Sequence, residues 1–302
     1  MTSITMKMKK IFSLVRQKIQ EHHLLLKIGH LVTATGPTTT LKRKELKNHV
    51  EELFKDKNDI ALFYFSGHGY IESTGGYLIT SECSYGDDGL PMNELLQIAN
   101  DSPATNKIII LDCCHAGILG NLSPKDDKAI LSEGMTILTA SSPSQYALEK
   151  DGSGVFTALL IDAMNGSASN LVGDITPGSI YAHIDQSLGS WEQRPIFKTN
   201  VTRFTTLRKV QPPISLADLK LITKLFPAKG QDFQLDPSFE PESENPIEEN
   251  VEQFKILQKY NRINLVVPVD AEHMFFAAME SKSCKLTILG EHYWSLVMNE
   301  RI

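Results

Sequence analysis

Three short apolar runs limit what this chain can fold into more than any other feature. They are Asp59-Ile-Ala-Leu-Phe-Tyr-Phe65, Lys107-Ile-Ile-Ile-Leu111 and Met135-Thr-Ile-Leu-Thr139. Each is too short for a helix and apolar at consecutive positions, the pattern of a strand covered on both faces. Helical spacing alternates with them. Residues 43–55 place Leu46, Val50, Leu53 and Phe54 on one side of a helix, and Pro91 to Asn100 and Val155 to Met164 repeat the pattern. Buried strands alternating with amphipathic helices predict an α/β fold, a mostly parallel sheet flanked by helices on both faces.

Bulk properties exclude several classes of function. The chain has 302 residues, enough for one large or two ordinary domains, and a net charge of −6. That balance argues against nucleic acid as a partner, because phosphate binding needs a concentrated basic face. The Lys/Arg clusters at 7–10 and 42–47 read as solvated surface. No apolar run approaches the roughly 20 residues of a membrane span. The basic start of the chain is broken by Lys10 and Arg16 and lacks the apolar core of a signal peptide. Cysteines stand at 83, 113, 114 and 284 with no zinc-finger spacing, and the adjacent pair cannot form an ordinary bridge. Free thiols in a reducing cytoplasm are the expectation.

Composition divides the chain into three parts. Residues 1–210 carry the α/β pattern. After Gln211-Pro-Pro213, the stretch 232–252 holds eight Asp/Glu and three prolines, so 211–252 reads as an acidic linker. Residues 253–302 read as a small, mainly α module with helices at 253–260 and 291–298. Its closing segment, Lys285 to Trp294, has a winged-helix look; with few basic residues there, a protein-docking role is expected of it rather than DNA binding.

The chemistry gathers at two strand ends. The first apolar run leads into Ser66-Gly67-His68-Gly69, and the second into Asp112-Cys113-Cys114-His115-Ala116-Gly117. Ligands of parallel sheets bind beyond the carboxyl ends of the strands, so neighbouring strands would set His68 against Cys114. A thiol is only slightly ionised at neutral pH, and an adjacent imidazole can take its proton during attack. Glycines around His68 leave room for a peptide. The N–H groups of Gly69 and Cys114 are candidates for an oxyanion hole. Asp112, two residues before the nucleophile, would favour a cationic substrate side chain. Cys113 points to the opposite face from Cys114 and reads as a small core residue.

The segments Phe63-Tyr-Phe-Ser-Gly-His-Gly69 and Leu111-Asp-Cys-Cys-His-Ala-Gly117 closely resemble the two catalytic motifs of metacaspases and bacterial caspase-like cysteine peptidases. Ala140-Ser-Ser142, Gly154 to Leu160 and Gln193-Arg-Pro195 resemble that family's small-subunit region. The resemblance, over roughly 40–204, implies a caspase-like fold, a dyad of His68 and Cys114, and cleavage after Arg or Lys through Asp112. It further implies a regulated peptidase acting in stress or defence-related cell death. The family's first strand, which ends in Gly-Ile-Asn, has no visible counterpart here; Met8 to Val15 is the segment that would replace it.

A metal centre built on His68, Cys114 and His115 lacks both the spacing and a fourth ligand, so none is expected. Asp87-Asp88 and Asp126-Asp127 are a weak signal for the calcium activation known in some relatives. Lys125 and Lys128 are candidate self-cleavage sites. The rival function is a caspase-fold scaffold that binds protein partners without cutting them.

Overall fold

A computed structural model describes residues 41–113, 115–119, 129–141, 149–150, 153–188 and 194–302. It divides into two compact units, one over 41–170 and 174–210 and the other over 171–173 and 211–302.

The first unit begins with helix α1 (Arg43–Lys55) and strand β1 (Ile60–Ser66). A small antiparallel sheet follows, made of β2 (Gly69–Glu72), β3 (Gly75–Leu78) and β4 (Leu90–Pro91). Helix α2 (Met92–Asn100) then leads to β5 (Asn106–Asp112) and β6 (Met135–Thr139). The short ribbon of β7 (Glu149–Lys150) and β8 (Ser153–Gly154) precedes α3 (Val155–Asp162). Next come β9 (Asp174–Ile175), α4 (Pro177–Ser187), β10 (Ile196–Asn200) and β11 (Arg208–Lys209). The main sheet has the order β1-β5-β6-β10, in which the first three strands are parallel and β10 is antiparallel to β6.

Strand period places the core on both faces of this sheet. On one side Ile109, Leu111 and Cys113 pack with Leu46, Val50 and Phe54 of α1 and with Leu95 and Ala99 of α2. On the other, Tyr64, Ile108 and Ile110 pack with Phe156 and Leu160 of α3 and with Ile180 and Ile184 of α4. The expected helix-flanked, mostly parallel sheet is therefore present. The chain enters β6 through Gly134 at φ +81°, where an added Cβ would stand 2.0 Å from the Thr105 carbonyl oxygen. Only glycine fits that left-handed turn.

The second unit contains α5 (Leu216–Lys220), α6 (Ile222–Leu225), β12 (Phe233–Gln234), α7 (Glu248–Arg262), β13 (Val266–Pro268), α8 (Met274–Met279), β14 (Ser283–Leu286) and α9 (Ile288–Met298). Its strands form an antiparallel sheet in the order β12-β14-β13.

This corrects the expectation of a linker over 211–252. Ile214, Leu219, Ile222, Phe226, Leu235 and Phe239 from that stretch share one core with Phe254, Leu257 and Tyr260 of α7. The acidic residues are accommodated around that core. Glu248 and Glu249 occupy the first turn of α7, where carboxylates suit the helix dipole. The buried Glu240 has its carboxyl pushed up, first by burial and then by the charge of Glu242. Phe226 is 1 % exposed, and its carbonyl accepts a hydrogen bond from Trp294 Nε1 at 2.6 Å. Phe226→Ala should accordingly cost about 3–5 kcal/mol in the unfolding transition of this unit, measured on the full chain in denaturant. A change within about 0.5 kcal/mol is what an exposed linker would give.

Candidate active site

The site is built on the pairing of β1 with β5. The two strands run in parallel from Ile60↔Asn106 to Ser66↔Asp112, so they end side by side. The Gly67 N–H then donates to the Asp112 carbonyl at 3.3 Å, tying the loop after β1 to the last residue of β5. His68 follows immediately and is exposed. Cys114, two residues past Asp112, lies outside the described residues, as do Asp126, Asp127, Lys125, Lys128 and Met8 to Val15.

Gly69 is held by the sheet that follows His68. Gly69 faces Leu78 across the ladder, and the Ile79 N–H donates to the His68 carbonyl at 3.0 Å. In that register Gly69 and Leu78 form a non-hydrogen-bonded pair, so the Gly69 N–H points away from β3.

The loop after β5 is fixed on several sides. Cys113 is 1 % exposed in the α1/α2 core, and its carbonyl accepts the buried Ser141 hydroxyl at 3.0 Å. Ser141 belongs to the loop leaving β6, whose Ala140 N–H donates to the Leu111 carbonyl at 2.9 Å. Just past position 114, His115 adopts φ 56°, a left-handed conformation that costs a non-glycine residue on the order of 1–2 kcal/mol. It opens the tight turn Ala116–Ile118. Lys198 of β10 closes that turn, because its Nζ donates to the carbonyls of Gly117 at 2.8 Å and Leu119 at 2.7 Å.

Asp112 lies on the opposite face from Cys113. It is 7 % exposed, and its carboxylate accepts a short hydrogen bond from the Thr157 hydroxyl in the first turn of α3. The same Thr157 oxygen lies 2.6 Å from the Tyr64 hydroxyl. Since Thr157 commits its proton to the carboxylate, Tyr64 is the donor of that second bond. The Tyr64 phenol has its pKa pushed up, first by burial and then by the negative charge of Asp112, so it stays protonated. Thr157, Tyr64, Ser141 and Lys198 were not singled out from sequence.

Asp88 is occupied locally: its carboxylate accepts the N–H groups of Ser84 at 3.0 Å and Tyr85 at 2.9 Å. Among the described residues, no three His, Cys, Asp or Glu side chains converge as a cation site, and no helix is long and apolar enough to cross a membrane. A groove of about 810 Å³ flanked by Lys107, Glu133 and Arg203 opens at the other, amino-terminal edge of the sheet, away from every candidate residue.

A family model agrees with this architecture. The caspase domain family model matches residues 8–206, about two thirds of the chain and all of the main sheet. The chain therefore belongs to the caspase domain family, a family of cysteine peptidases. Among solved structures it is similar to caspase-1 from Spodoptera frugiperda, with 15 % identity, a TM-score of 0.43, and coverage of 67 % of this chain and 82 % of that one. It is also similar to a protein from Geobacter sulfurreducens, with 16 % identity, a TM-score of 0.46, and coverage of 69 % and 88 % respectively. No curated protein sequence matches the chain.

Burial separates the thiols. Cys284 is fully buried, and burial, followed by the nearby Asp232 charge, pushes its pKa up to about 12. Alkylation of the folded protein at pH 8 should therefore spare Cys113 and Cys284 in mass-mapped peptides, and both should react once denaturant is added. Rapid labelling of either thiol in folded protein would contradict this packing.

Proposed function

We propose that this protein is a cysteine endopeptidase in which His68 and Cys114 form the catalytic dyad and Asp112 selects Arg or Lys before the cleaved bond. The observation that carries the reading is the Ser66↔Asp112 register, which delivers both motif loops to one sheet edge. Family membership supports the reaction class, and the two motifs support the residue roles.

In this reading the Cys114 sulfur gives up its proton to His68 and attacks the carbonyl carbon. Negative charge then develops on the carbonyl oxygen, toward which the N–H groups of Gly69 and Cys114 would be directed. His68 returns the proton to the leaving amine, leaving an acyl-enzyme. Water, deprotonated by His68, hydrolyses the acyl-enzyme and regenerates the thiol. The buried carboxylate of Asp112 meets the substrate's cation from the α3 side of the site. A site screened from bulk water strengthens that attraction.

The C-terminal unit is the part we assign to a protein partner, in keeping with a regulated role in stress or defence. Its exposed aromatic pair, Phe275 and Phe276, packs edge to face at 5.4 Å beside an exposed Met279. Nothing in the charge of the chain favours nucleic acid, and a cytoplasmic setting fits the free cysteines among the described residues.

The test is turnover of fluorogenic peptides carrying Arg, Lys or Asp before the scissile bond, with and without calcium. Arg and Lys peptides should be cut, Asp peptides should not, and Cys114→Ala and His68→Ala should each lower the rate by about 1000-fold or more. Well-folded wild-type protein that cuts none of them, yet binds partners unchanged by Cys114→Ala, would point instead to a caspase-fold scaffold.

A further inference from the structure

The hydroxyl chain behind Asp112 has more in it than packing requires. Tyr64 lies in the α3/α4 core at 5 % exposure, two residues before the end of β1 and on the same face as Ser66, the register partner of Asp112. Thr157 is equally buried in the first turn of α3. Phenylalanine and valine would fill these two positions with nearly the same shape and no polar atom to satisfy, and a hydroxyl in such a place is a cost unless it is bonded. Both hydroxyls are bonded, and in series: Tyr64 donates to Thr157, which donates to Asp112 Oδ2. The Ser66 side chain also interacts with the Tyr64 hydroxyl.

We propose that Tyr64 and Thr157 are positioning residues for substrate specificity, holding the Asp112 carboxylate in the orientation that receives the substrate's basic side chain. This rests on the reading of Asp112 as the selecting residue. A carboxylate at the end of a strand can turn about its χ angles, and each rotamer aims the charge elsewhere. A donor fixed in the first turn of α3 removes that freedom before the substrate arrives. The ordering is then complete when the guanidinium or ammonium docks, so binding does not have to supply it. Tyr64 acts one bond further back. By giving its proton to Thr157 it obliges Thr157 to aim its own proton at Asp112 rather than back toward the core.

A purely structural chain of hydroxyls would change stability alone. A positioning chain changes the discrimination between a charged and a neutral side chain of the same shape. The measurement is therefore kcat/KM on paired peptides with arginine or citrulline before the bond, with thermal unfolding of each variant as the folding control. Thr157→Val should lower kcat/KM for the arginine peptide by about tenfold or more, chiefly through KM, and leave the citrulline peptide nearly unchanged. Tyr64→Phe should give a smaller loss of the same kind, and Thr157→Ser should restore the preference. If Thr157→Val fails to fold, Tyr64→Phe, which keeps the ring in the core, carries the test.

Two failures are distinguishable. Should Asp112→Asn abolish the arginine preference while Thr157→Val and Tyr64→Phe weaken both peptides equally, the positioning role is overturned and the reading of Asp112 stands. Should Asp112→Asn leave the preference intact, both are overturned. If wild-type protein turns over neither peptide, calorimetric binding of argininamide against citrullinamide replaces the rates. Equal or absent binding of the two by folded wild-type protein overturns both statements.

Discussion

The parallel ladder between β1 and β5 is the constraint on which the rest of the site depends. Its register runs residue for residue from Ile60↔Asn106 to Ser66↔Asp112, so two loops far apart in sequence leave the sheet as neighbours. A hydrophobic face on each side enforces that register. Slipping one strand by a single residue would carry Tyr64 into the α1/α2 core and Phe63 and Phe65 into the α3/α4 core, exchanging both sets at once. The fold thus specifies the meeting of the two loops before any catalytic side chain is considered.

The same period of two separates the roles of consecutive residues. Leu111 and Cys113 point into one core, while Ile110 and Asp112 point toward the other. Cys113 is thereby consumed by packing, and its backbone carbonyl, held by Ser141, fixes the chain one residue before Cys114. Asp112 is delivered to the first turn of α3 and its hydroxyl. Downstream, the left-handed backbone at His115 and the two carbonyl contacts of Lys198 turn the chain sharply over residues 115–119. Strained non-glycine backbone of this kind persists only where surrounding contacts over-determine it.

Much of this was legible from pattern. The strand expected at 135–139 has those bounds in the structure, and the strands expected at 59–65 and 107–111 differ from β1 and β5 by a single residue at each end. These segments read clearly because burial on both faces leaves an uninterrupted apolar run. The antiparallel β10 was missed, since its sequence, Ile-Phe-Lys-Thr-Asn, belongs to an edge strand that is half-buried at first and exposed over its last two residues. The hydroxyls of Thr157 and Ser141 were invisible for another reason: each acts on a partner brought close only by tertiary packing, and neither motif spacing nor periodicity reports such a pair. The C-terminal stretch misled most. Eight acidic residues in 232–252 dominate the local composition, yet apolar side chains spaced several residues apart, from Ile214 to Phe239, suffice to enter a core. Average polarity hides such sparse anchors.

The most direct test of the central claim is covalent capture with a peptidyl-arginine chloromethyl ketone, in which the attacking sulfur forms a bond to carbon and chloride leaves. Our account predicts about one adduct per chain, mapped by mass spectrometry to Cys114, formed slowly in His68→Ala and not at all in Cys114→Ala. Folded wild-type protein that forms no adduct at Cys114, or that reacts at Cys83 alone, would contradict it.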